Sequence, residues 1–150
     1  MLDFLWHLRG SVTLSSAAGH DVTLDRLEVL LEKQGKPLAE RTSSRISFDD
    51  PLWRNPLGAN WRPLVIYDHG RFWVEQGPGE RRLRYDLRSL HGMVFCLFAA
   101  GMFFCIGLTG GGVLRAAKFA LFAFGWLYGM NMVLALIRVP LLIRRTVRAT

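Results

Sequence analysis

A chain of 150 residues and 17.0 kDa that is 51% hydrophobic, with a mean hydropathy of +0.20, is too apolar for a disordered tail. It is also too short for more than one small soluble domain beside membrane helices. The formal charge of +7 divides unevenly: residues 1–90 hold 13 basic residues and all 12 acids, whereas 91–150 hold six basic residues and no acid. The excess charge thus sits in the greasiest part of the chain, which argues against nucleic acid as the partner and for lipid.

In chain order, Val12 and Leu14 alternate with polar neighbours as in a short strand. Thr23 is suited to cap a helix that has Asp25 in its first turn. Leu24, Leu27, Leu30 and Leu31 line one side of that helix, Asp25, Glu28, Glu32 and Lys33 line the other, and Gly35 and Pro37 stop it. Ile46 and Phe48 alternate in a second strand. Leu64–Asp68 and Phe72–Gln76 flank Asp68-His69-Gly70-Arg71, which reads as a hairpin, and Gly77-Pro78-Gly79 reads as the next turn. Leu83, Tyr85 and Leu87 then alternate with Arg82, Arg84, Asp86 and Arg88, the cleanest period of two in the chain.

The predicted order over residues 1–90 is β-α-β-β-β-β, an α+β domain with one antiparallel sheet and one covering helix. One short helix leaves much of such a sheet bare, so its other side is expected to rest on a partner or on the membrane surface. Residues 51–62 form a Pro- and Gly-rich connection in which Trp53-Arg54 and Trp61-Arg62 repeat an aromatic–cation pair. That pair suits a loop folded back onto the sheet, the lipid–water boundary, or a protein contact.

Ser89 to Leu114 and Phe119 to Ile137 carry no Asp, Glu, Lys or Arg, over 26 and 19 residues. About 20 apolar residues cross the hydrocarbon core of a bilayer as a helix. Thr109-Gly110-Gly111-Gly112 separates the two stretches, predicting a transmembrane hairpin over 91–138 (helices at about 91–108 and 116–138) and a basic tail over 139–150. Eight arginines flank the open end, at 81, 82, 84, 88, 138, 144, 145 and 148, against Arg115 and Lys118 at the turn. This places both termini in the cytoplasm of a bacterial inner membrane, and Met1–Arg9 does not read as a cleaved signal peptide.

Candidates for chemistry are few. Cys96 and Cys105 share one helix but face opposite ways, and His7, His20, His69 and His91 include no pair at metal-binding helical spacing. Asp49-Asp50-Pro51 suits a turn better than an acid–base pair, and no metal or cofactor is expected. Gly125 and Gly129 form Gly-x-x-x-Gly, continued by Met132, and Asn131 is the one strongly polar side chain of the second span. Gly125, Gly129 and Met132 share one face and Asn131 lies about 120° away on another, so one face can pack within the hairpin and the other is left for another integral membrane protein or a second copy of the chain. Arg82, Arg84, Arg88, Arg144 and Arg145 are the candidate contacts to lipid headgroups. The function expected is a non-enzymatic accessory or scaffold subunit of an inner-membrane complex. The alternative is a surface sensor that binds anionic lipid or ligand through its arginines.

Overall fold

The computed structural model describes residues 5–14, 19–51, 54 and 62–148. Five strands, β1 (His7–Leu14), β2 (Leu38–Arg41), β3 (Arg45–Asp49), β4 (His69–Gln76) and β5 (Arg81–Arg88), form one antiparallel sheet in the spatial order β1-β5-β4-β3-β2. The alternation along β5 dictates its place. Leu83, Tyr85 and Leu87 point into the core, and Tyr85 lies opposite Gly10 on one neighbour and Phe72 on the other. Helix α1 (His20–Lys33) lays Leu24, Leu27, Leu30 and Leu31 on that inner face.

The β-α-β-β-β-β order holds, but two elements differ from the sequence reading. Leu64–Asp68 is not a strand. Pro63 lacks an N–H, and Val65 and Tyr67 donate back to the carbonyls of Arg62 (3.0 Å) and Leu64 (3.1 Å) in tight turns. The strand is supplied instead by Leu38–Arg41, an exposed edge with no apolar alternation to announce it. Asp68-His69-Gly70-Arg71 accordingly leads into β4 rather than closing a hairpin. Helix α1 starts one turn early, capped by Gly19, and the Thr23 hydroxyl donates to the Gly19 carbonyl at 3.2 Å.

The apolar half is a nearly unbroken helical run of α2 (Leu90–Phe124), a π-helical turn (Gly125–Gly129) and α3 (Met130–Arg148). The glycine loop predicted over 109–112 is absent as a loop. Helical bonding runs on through those glycines, and only Gly112 departs, at φ 79° and ψ 169°. Glycine alone takes that geometry without strain. The break folds the path back. The rings of Phe103 and Phe119 meet edge-on at 5.5 Å. A straight helix would hold those residues about 24 Å apart. A Cβ on Gly107 would come within 2.9 Å of the Ala116 Cα. By length and composition the run counts as one candidate for crossing a membrane, and its apolar side chains face outward, with Leu114 and Leu121 each 72% exposed.

Within the basic stretch 139–150 the chain is helical through Arg148. Ala135, Val139, Ile143 and Val147 recur every fourth residue, form one strip, and join the core of the sheet. Two helices, not one, therefore cover the inner face. No helix among the described residues covers the other face, which carries His7, Arg9, Arg71, Trp73, Arg84 and Asp86.

Candidate functional site: the junction of sheet and apolar helices

Two of the polar residues that the fold buries, Asp68 and Ser89, come together where β5 hands over to α2. Asp68 is 2% exposed, and its Oδ2 accepts from Arg88 Nε at 2.9 Å and Nη2 at 2.7 Å. Its Oδ1 accepts the backbone N–H of His91 at 3.2 Å. A carboxylate from a neighbouring segment thus occupies the N-terminus of α2, where the helix dipole favours negative charge and Ser89 provides no side-chain cap. Ser89 itself is fully buried. Its N–H donates to the Trp6 carbonyl at 2.7 Å, and its hydroxyl lies 3.0 Å from that of Tyr128. Tyr128 donates to the Leu5 carbonyl at 2.6 Å. The start of α2, the π-helical turn and the entry to β1 are thereby tied at one point. At the far end of α3, Arg26 Nη1 donates to the Val147 carbonyl at 3.1 Å, a cation serving the last carbonyls of a helix.

A second buried cluster braces the connection between β3 and β4. Lys36 has a side chain 4% exposed, and its Nζ donates to Asp50 Oδ2 and to the Tyr67 carbonyl, both at 2.8 Å. The ammonium lies 5.6 Å from the centre of the Phe48 ring. Burial lowers the lysine pKa, and the adjoining Asp50 carboxylate opposes that shift. The Tyr67 hydroxyl is buried with no hydrogen-bond partner among the described residues, and burial raises its pKa. Neither cluster announces itself in the sequence. The nearest signal is a lysine and an aspartate set beside turn-forming glycine and proline.

The acid pair is split. Asp50 holds Lys36, while Asp49 faces His69 Nδ1 at 3.4 Å across the strand pair. His7 Nδ1 and Arg9 Nε share Asp86 at 2.6 and 3.1 Å. These are cross-strand ion pairs on the face of the sheet opposite the helices. Among the described residues no group of three His, Cys, Asp or Glu is placed to hold a metal ion. Cys96 and Cys105 are both free thiols on α2.

The remaining sequence candidates separate. Arg82 pairs with Glu80 (3.0 Å), Arg84 with Glu75, and Arg88 with Asp68, so three of the five headgroup candidates already face acids of the same chain. Arg144 and Arg145 are exposed on α3. Burial raises the pKa of Tyr85, and Arg144 lies near enough to oppose the shift. Gly125 and Gly129 fall within the π-helical turn, and among the described residues nothing lies within 4 Å of where their Cβ atoms would be. Asn131 is exposed and its side-chain N–H donates to the Leu127 carbonyl at 2.7 Å, one turn back in its own helix. Met132 is half-buried. Arg54 is exposed, and Arg62 is half-buried with its guanidinium against Gly35. Trp53 and Trp61 lie outside the described residues. Comparison of the chain with protein-family models, with curated proteins and with solved structures found no match.

Proposed function

We propose that the chain is a non-enzymatic accessory subunit of a bacterial inner-membrane complex, built as a rigid plug rather than as a domain on a tether. On this reading the helical run enters lipid at Ser89, reverses at Gly112, returns near Tyr128, and leaves both termini in the cytoplasm. The observation that carries it is the shared core. The helix that returns from the reversal inserts Ala135, Val139, Ile143 and Val147 into the sheet. A movement of the apolar arms is therefore a movement of the cytosolic domain. The arms meanwhile present far more apolar surface than a soluble protein leaves uncovered. The partner, another integral membrane protein or a second copy, would dock on the face bearing Gly125, Gly129 and Met132, where the backbone at the glycines is open to close approach, with Asn131 on a different face of the helix.

A photo-crosslinking side chain at Trp126, which is 59% exposed beside those glycines, tests this directly in native membranes. A discrete protein adduct supports the proposal. Labelling of lipid alone overturns it. The alternative of an arginine-rich lipid sensor is weakened at Arg82, Arg84 and Arg88 by their acidic partners, and rests on Arg144 and Arg145.

A further inference from the structure

Cations on the far side of a membrane hairpin oppose the usual distribution, and Arg115 and Lys118 stand there without explanation. No Asp or Glu occurs anywhere from Ser89 to the end of the chain, so neither cation has an acidic partner on the arms. Both line a groove of about 490 Å³ beside the reversal, together with Ile106, Gly107 and Gly110 from the outgoing arm and Phe119 and Phe122 from the returning one. The groove is open at Gly110, where an added Cβ would meet nothing within 4 Å. Its walls below the cations are apolar and outward-facing, with Ile106 60%, Phe119 47% and Phe122 67% exposed. Arg115 and Lys118 lie about 4.5 and 9 Å along the helix from Gly112, within reach of the headgroup layer for long side chains.

We infer that this groove is a binding site for one anionic glycerophospholipid in the leaflet that holds the reversal. Arg115 grips two phosphodiester oxygens, Lys118 neutralises the charge from one turn below, and an acyl chain lies along Ile106, Phe119 and Phe122. The inference rests on the double crossing proposed above. The pattern is complementary in both parts: paired cations with no internal counter-charge at the rim, and an apolar channel beneath them.

Native mass spectrometry of the full chain, released from nanodiscs of mixed phosphatidylglycerol and phosphatidylcholine, measures the preference. The expected result is one retained phosphatidylglycerol, with the preference over phosphatidylcholine falling about 30-fold in the R115Q/K118Q variant. The R144Q/R145Q variant should keep it. Equal retention of the two lipids by the unaltered chain overturns the inference. So does an unchanged preference in R115Q/K118Q, or loss of the preference in R144Q/R145Q, which would move the site to the opposite end. Near-ultraviolet circular dichroism of each variant reports whether it is folded. Thiol labelling of Gly111→Cys from each side of sealed vesicles reports the double crossing separately, so a failure of topology is not mistaken for a failure of lipid binding.

Discussion

Replacing Ile143 with alanine isolates the contribution of α3 to the core of the sheet. Ile143 is fully buried, and the change removes three carbons from that core. At about 0.8 kcal/mol for each buried methylene, transfer alone costs about 2.4 kcal/mol. The cavity left behind brings the total to about 3–4 kcal/mol. Leu141, two residues earlier on the same helix, is 47% exposed and supplies the control. Its alanine variant should cost less than about 1 kcal/mol. The assay is equilibrium unfolding of the detergent-purified full chain, read by near-ultraviolet circular dichroism, with amide exchange of β1 as a local report. Exchange in β1 should quicken in Ile143→Ala and not in Leu141→Ala, because α3 packs on that strand. Equal destabilisation by the two variants would refute the reasoning, since α3 would then be an appendage and not part of the core.

Tyr67→Phe should hold or raise stability by up to about 1 kcal/mol, because it removes a buried hydroxyl that makes no hydrogen bond among the described residues. The same variant should flatten the alkaline limb of the stability curve: the folded-state pKa of Tyr67 is raised, so its contribution is intact below about pH 10 and is lost above it. Asp50→Asn leaves the Lys36 ammonium buried without its carboxylate and should cost about 3 kcal/mol at neutral pH. With the lysine pKa already lowered by burial, the unfolded chain binds more protons, so part of that loss should return as the pH rises toward 10; a pH-independent loss would contradict this. Tyr128→Phe removes the bond to the Leu5 carbonyl and the contact with Ser89, and should cost about 1–2 kcal/mol with faster amide exchange at the start of β1.

Much of the sheet is legible from local pattern, because β5 and α1 each carry a period that only one face can satisfy. The edge strand Leu38–Arg41 is not legible, since an exposed edge needs no alternation and is held by its neighbour's backbone. Leu64–Asp68 misleads for the opposite reason: its apolar residues fill the core from turns, and apolarity without alternation does not distinguish the two. The role of α3 was present in the sequence but masked. Arg138, Arg144, Arg145 and Arg148 dominate the composition of its last turns, while the apolar strip beneath them, Ala135 to Val147 in steps of four, emerges only when spacing is weighed over charge. The buried junction lies beyond any local reading. Asp68 and Arg88 meet through the pairing of β4 with β5, and Tyr128 joins Ser89 because the path reverses at Gly112 and brings the π-helical turn back beside the end of β5.

Single-cysteine accessibility in sealed inverted and right-side-out vesicles, on a chain with Cys96 and Cys105 replaced by alanine, tests the double crossing most directly. Cysteines introduced at Ser43 in the β2–β3 turn, at Gly111 beside the reversal and at Arg148 at the end of α3 sample the three regions that matter. The account predicts that Ser43→Cys and Arg148→Cys react from the cytoplasmic side and Gly111→Cys from the opposite side. Reaction of Ser43→Cys and Arg148→Cys from opposite sides would mean a single crossing, and would separate the sheet from the helix that the structure places in its core.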